Sequence, residues 1–268
     1  MRGVGGRIAI AICRVLAVLA SSAAGPAVWT GAIAGDTLEA QADAPRPHFE
    51  FWGGASAYRN VWSIYSGSTV APFGGVQEDG ARLRLTGGYG EDRYSSKTPA
   101  GSQTFRGRGS FADLLLGYHA QLGSLTLKAF AGATMADRQI TPSDPTATLL
   151  GTDWGGKVVL ETWWNIGART WTAVDLSWAS LHETYSARAR VGWRLTPALS
   201  IGIEASGIGS EGSDIAGAGG FLRYETASGE LSFSGGVTSD RLRESGSGLL
   251  GVAQSGTPIA TASWLTRF

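Results

Sequence analysis

The feature that most constrains this chain is a period of two. From Thr184 to Leu195, the side chains of Tyr185, Ala187, Ala189, Val191, Trp193 and Leu195 alternate with those of Thr184, Ser186, Arg188, Arg190, Gly192 and Arg194. Successive residues of a β-strand point to opposite faces, so this segment has one apolar face and one face bearing three arginines. A helix would spread those arginines around its circumference.

The same alternation recurs along the chain. Leu83, Leu85 and Tyr89 oppose Arg82, Arg84, Thr86 and Gly88, and Leu127, Ala129 and Ala131 oppose Thr126, Lys128 and Phe130. Leu160, Trp164 and Ile166 oppose Glu161 and Asn165; Val174, Leu176 and Trp178 oppose Asp175 and Ser177; Ile201 and Ile203 oppose Ser200 and Glu204. The pattern predicts strands over 49–57, 61–72, 80–94, 105–119, 124–136, 156–166, 169–179, 184–195, 198–207, 214–225, 229–238 and 257–268. Segments of about ten alternating residues, even in number and separated by turn residues, are the signature of a single-chain membrane barrel. The predicted fold is all-β: a transmembrane antiparallel up-and-down β-barrel of about twelve strands.

The connections agree with that topology. Those after even-numbered strands are mostly tight (120–123, 167–168, 196–197, 226–228), whereas those after odd-numbered strands include the long stretches 95–104, 137–155 and 239–256. Short periplasmic turns and longer extracellular loops have this asymmetry. Trp52, Phe73, Tyr118, Trp164, Trp193, Tyr224 and Phe268 fall toward the periplasmic rim, and Trp62, Tyr94, Trp154, Trp178 and Tyr185 toward the outer rim. Interfacial Trp and Tyr keep the ring in hydrocarbon and the polar atom near headgroup water. An exported β-sandwich would turn polar residues outward and large apolar ones inward, the inverse of what is written here. The chain ends Ala262-Ser263-Trp264-Leu265-Thr266-Arg267-Phe268, an alternating strand closed by an aromatic residue.

Composition and the N-terminus point to export. Only 16% of the residues are charged, against about 25% in ordinary soluble domains. Arg2 and Arg7 precede an apolar run from Ile8 to Ala20, then small residues, the layout of a secretory signal. This predicts a signal peptide over 1–24, with Ala32-Ile33-Ala34 as a later cut, a lead-in over 25–47 and a barrel over 48–268. Cys13, the single cysteine, lies within that signal and follows Ile12, which does not fit a lipoprotein box. A mature chain without cysteine has no disulfide, thiolate nucleophile or cysteine metal site. Loss of Arg2, Arg7 and Arg14 reduces the basic residues from 22 to 19 against 22 acidic ones, a balance that gives no reason to expect nucleic acid.

The inward face is expected to carry Arg82, Arg84, Lys128, Arg188, Arg190, Arg194 and Arg223 together with Asp113, Glu161, Asp175, Glu204 and Glu225. Such charges either pair across strands and stiffen the interior or line a pore that selects solutes. Pairing is the expectation for most of them. The Arg188–Arg190–Arg194 ladder is the candidate for an anionic ligand.

No catalytic residue, metal or cofactor is assigned. His48, His119 and His182 are too scattered for a metal site. Ser180, His182 and Glu183 share one hairpin loop, where a lipid hydrolase would need a nucleophile and base in contact; an ordinary polar loop is the expectation. The glycine pairs Gly87-Gly88 and Gly235-Gly236 and the run Gly217-Ala218-Gly219-Gly220 lie inside strands. They read as bends or as relief for large interior side chains.

Several stretches occur in a telling order: Tyr65-Ser66-Gly67, Ala71-Pro72-Phe73-Gly74, Glu78-Asp79-Gly80 before Arg82-Leu83-Arg84, Gly87-Gly88-Tyr89-Gly90, Glu161-Thr162-Trp163-Trp164 and His182-Glu183-Thr184-Tyr185. Together they resemble the cellulose biosynthesis protein BcsS family over roughly 49–268. The resemblance implies an outer-membrane component encoded with cellulose synthase, with outer-membrane lipid and cellulose or its synthase machinery as partners, and no catalytic residues. The expected function is an accessory to cellulose biosynthesis that assists secretion or surface anchoring of the glucan. A narrow channel for small anionic solutes and an outer-membrane lipid hydrolase are the alternatives.

Overall fold

The computed structural model describes residues 46–98, 101–144, 147, 150–210, 213–242 and 254–268. The predicted signal peptide and nearly all of the lead-in lie outside these residues. The described chain forms twelve strands: β1 (Phe49–Tyr58), β2 (Val61–Val70), β3 (Gly80–Thr98), β4 (Gly101–Leu122), β5 (Leu125–Thr141), β6 (Gly151–Asn165), β7 (Thr170–Ala179), β8 (Tyr185–Arg194), β9 (Leu199–Gly209), β10 (Ser213–Thr226), β11 (Gly229–Leu242) and β12 (Gln254–Arg267). From β10 through β12 and β1 to β9 each strand is antiparallel to the next, and β12 pairs back onto β1 from Glu50↔Arg267 to Tyr58↔Ile259. β9 lies against β10, where the Glu225 N–H donates to the Ala198 carbonyl at 2.7 Å, and the sheet closes into a barrel.

Closure leaves two environments, and the alternation sorts residues between them. Leu83, Leu85, Leu114, Leu116, Val158, Val191, Ile203, Phe233 and Val237 stand exposed on the outer face. On the inner face Arg84, Asp113, Glu161 and Arg223 are buried. An apolar belt outside a polar interior is what a lipid-spanning barrel requires. Tyr118, Trp164, Trp193, Tyr224 and Trp264 project outward near one rim, and Trp62 and Trp154 near the other. From Trp164 to Trp154 along β6 is about 33 Å at about 3.3 Å per residue, or about 25 Å in height at a tilt of about 40°, the height of such a belt.

Trp52 departs from its expected place at the rim. It points inward, is almost fully buried, and packs with Leu265 and Tyr65. Its cross-strand partner on β2 is Gly67, where any Cβ would strike the indole ring. The arrangement repeats: Trp171 lies over Gly192, Phe111 over Gly88 and Phe130 over Gly117, each the direct partner across the ladder. A glycine opposite an aromatic gives the ring a flat backbone to lie on, which sets both register and curvature. Relief for large interior side chains is thus the role of Gly88.

Within the expected long loop over 95–104, residues 95–98 and 101–104 are strand instead. β3 runs to Thr98, and β4 starts at Gly101 with Thr98↔Gly101 as its last pair. β5 likewise reaches Thr141, so the predicted 137–155 loop shrinks to 142–150. β11 ends at Leu242 and β12 begins at Gln254, and most of the predicted 239–256 loop lies outside the described residues. The upper parts of β3, β4 and β5 carry outward-facing Glu91, Arg106, Arg108 and Asp137, with Arg106 and Arg108 both ion-paired to Glu91. Charges have no place against hydrocarbon, so this three-stranded sheet stands beyond the membrane. On its other face Tyr94 stacks on Phe105 at 5.3 Å and donates to Asp144 at 2.7 Å. Tyr94 is therefore not a rim residue either. Desolvation, then the Asp144 carboxylate, pushes its hydroxyl pKa up to about 12.

Candidate functional site

The barrel interior holds the charged residues that the alternation singled out. Arg84 of β3 is its hub. Both terminal guanidinium nitrogens meet the Glu161 carboxylate of β6, Nη2 to Oε2 at 3.0 Å and Nη1 to Oε1. Its Nε donates to Thr69 of β2 at 3.2 Å, and the guanidinium lies 3.7 Å from the Phe130 ring centroid. Glu161 is 0% and Arg84 1% exposed. A bidentate arginine–carboxylate pair is among the strongest polar contacts available, and this one bridges walls three strands apart.

A second hub is Arg223 of β10. It pairs with Glu225 at 2.9 Å and with Glu230 of β11, and lies 4.5 Å from the Trp163 ring and 5.3 Å from the Trp171 ring. Those indoles, from β6 and β7, stack on each other at 4.0 Å. Cation–π contacts of this kind gain strength when water is excluded.

The arginine ladder on β8 is engaged rung by rung. Arg188 donates to Asp175 through Nε at 3.1 Å and Nη2 at 3.0 Å. Arg190 donates to Glu204 at 2.9 Å and lies over Phe221. Arg194 donates to Asn165 at 2.7 Å. Lys157 meets Asp113 at 2.6 Å, and Asp113 also accepts from Thr134. Lys128 reaches Glu50 of β1 at 3.5 Å, and Arg267 reaches the other oxygen of Glu50 at 3.4 Å. Arg82 differs from the rest. It donates to the carbonyls of Gly75 at 3.0 Å and Glu78, pinning the 71–79 turn, while His119 bonds Val76 of the same turn.

Glu204 also borders a cavity of ≈ 20 Å³ lined by Ser206, Gly217, Gly219, Gly236 and Thr261. That is room for a water rather than for a sugar ring.

Sequence reasoning passed over Glu50, Glu230, Trp163 and Trp171. The signal was present: Glu50 alternates with Phe49 and Phe51, and Trp163 and Trp171 share the parity of Glu161 and Asp175. Aromatic residues read naturally as lipid-facing, and these two face in.

The hairpin loop between β7 and β8 does not assemble a nucleophile–base pair. Ser180 Oγ accepts the Gly156 N–H at 2.9 Å, and His182 Nε2 pairs with Asp153 at 3.2 Å. His182 and Glu183 both take positive φ, 52° and 48°, a turn geometry uncommon for side-chain-bearing residues. Ser180→Ala is expected to cost at most about 1 kcal/mol, with membrane lipid composition unchanged on extraction and mass analysis.

No curated protein matches the chain. Among solved structures it is similar to a KdgM porin at 7% identity and TM-score 0.42, covering 82% of this chain and 99% of the porin. It is similar to an outer-membrane channel from Pseudomonas putida F1 at 12% identity and TM-score 0.45, covering 86% and 100%. The Pseudomonas putida toluene transporter TodX gives 9% identity and TM-score 0.47, covering 84% and 90%. Residues 50–254 match the family described as cellulose biosynthesis protein BcsS. That match spans most of the sequence and nearly the whole barrel, and the chain belongs to this family.

Proposed function

We propose that this protein is an outer-membrane barrel accessory to cellulose biosynthesis, assisting secretion or surface anchoring of the glucan from beside the polymer rather than conducting it. Family membership supports the tie to cellulose. The observation that carries the accessory role is the buried Arg84–Glu161 bridge across the interior. A neutral glucan would need a continuous bore lined by aromatic and hydrogen-bonding groups. Here the aromatic faces of Phe130, Trp163 and Trp171 are covered by guanidinium groups.

Extracellular cellulose in a strain lacking this gene is expected to fall while synthase levels hold, and to return on complementation. Unchanged surface cellulose would overturn the proposal. In planar bilayers the purified barrel is expected to show no steady anion-selective conductance, because Arg188 and Arg190 are neutralised by Asp175 and Glu204. A conductance abolished by Arg188→Gln would favour the anion channel instead.

A further inference from the structure

We infer that the outward face of β3 and β4, just above the lipid belt, is a binding site for the phosphate of an outer-leaflet glycolipid headgroup. The observation is a like-charge pair. Arg93 and Arg106 are direct cross-strand partners, so their side chains leave the sheet side by side on one face. Directly opposed like charges destabilise an antiparallel pair unless an anion joins them.

The neighbourhood does not supply enough anion. Glu91, one alternate position below Arg93, is engaged by both Arg106 and Arg108 and also accepts from Tyr89. Asp137 on β5 accepts from Gln139 and Thr152. Arg93 is exposed and makes no ion pair with any described residue, and its backbone N–H donates to the carbonyl of Asn60 in the β1–β2 turn. Three arginines, Arg93, Arg106 and Arg108, thus face two occupied carboxylates. Arg106 and Arg108 keep 42% and 49% of their side chains exposed, so their remaining N–H groups are open to a ligand.

Height identifies the ligand. Leu83, Leu85 and Tyr89 precede Glu91 and Arg93 on the same face of β3, and Tyr118, Leu116 and Leu114 lead up to Arg108 and Arg106 on β4. Arg93 is four residues above Tyr89, about 13 Å along the strand, which is headgroup depth when Tyr marks the interface. A guanidinium fork matches phosphate oxygens in a bidentate way that an ammonium does not. An acyl chain against Leu85 and Leu114 with its phosphate between Arg93 and Arg106 satisfies both parts of this face. The inference rests on the outer-membrane placement above and on nothing about cellulose.

The test uses the full barrel purified in mild detergent, with delipidation and addition of diphosphoryl or dephosphorylated lipid A, read by native mass spectrometry. The wild-type chain is expected to retain diphosphoryl lipid A and to lose the dephosphorylated form. Arg93→Gln with Arg106→Gln is expected to retain about tenfold less, while Arg169→Gln, in the β6–β7 turn at the opposite rim, retains the wild-type amount. Gel mobility without heating confirms that each variant is folded. Undiminished retention by the double variant, or equal retention of dephosphorylated lipid A, would overturn the site. Displacement of bound lipid A by millimolar inorganic phosphate would also overturn it, since the face would then bind free phosphate. Because the readout is lipid mass, a failure of the cellulose reading does not move it.

Discussion

Glu161→Ala is expected to destabilise the folded barrel by about 3–5 kcal/mol, because it leaves the Arg84 guanidinium buried without its anion. Arg84 has no route to water: it is held between Thr69, the Phe130 ring and the β6 wall. Urea unfolding in detergent, followed by the fluorescence of the buried tryptophans, measures the loss. Replacing both partners with apolar residues, Arg84→Met with Glu161→Leu, is expected to recover most of it, since the desolvation penalty of both ions disappears together with their attraction. A loss below about 1 kcal/mol for the single variant would mean that water reaches this pair, and that the interior is more open than its packing indicates.

Trp171→Ala is expected to cost about 3–5 kcal/mol through the cavity it leaves. Trp171 is fully buried, stacks on Trp163, touches Phe221 and donates toward Ser200 at 3.4 Å. Its ring lies on Gly192, so Gly192→Val alone is expected to cost about 1–3 kcal/mol by overpacking. In the Trp171→Ala background the same valine fills part of the cavity and is expected to stabilise. That change of sign, read from the same unfolding curves, is the coupling that a double-mutant cycle isolates. Additive losses would show that the ring does not depend on the glycine.

Within the lipid belt the strands were legible because two media enforce alternation. Leu83 and Leu85 against Arg82 and Arg84 can be read in only one register, since a slip of one residue would put arginine into lipid. Above the belt that enforcement stops. Ser95 and residues 101–104 are exposed, and the stretch is rich in Ser and Thr, so its composition reads as loop although β3 and β4 pair as far as Thr98↔Gly101. Which charges lie inside was legible from parity; which partner each would choose was not. The Arg84–Glu161 bridge joins residues 77 apart, and the choice between Glu161 and nearer carboxylates depends on how the closed wall brings β3 and β6 together. The alternation that turns Glu50 inward was legible, but its partners were not. Glu50 serves Lys128 and Arg267, and both contacts exist only once the barrel has closed.

The join between β1 and β12 sets an order of assembly. Every other neighbouring pair of strands joins segments consecutive in the chain. The join alone unites residues 217 apart, where Arg267 meets Glu50 and Phe49 and Phe268 exchange backbone hydrogen bonds at 3.1 and 2.9 Å. Loop closure over such a span costs more entropy than any hairpin, and contacts of long sequence separation form late. The cylinder therefore has a last zip, and an assembly factor that held the edges of β1 and β12 apart would keep the whole wall open as a curved sheet until release.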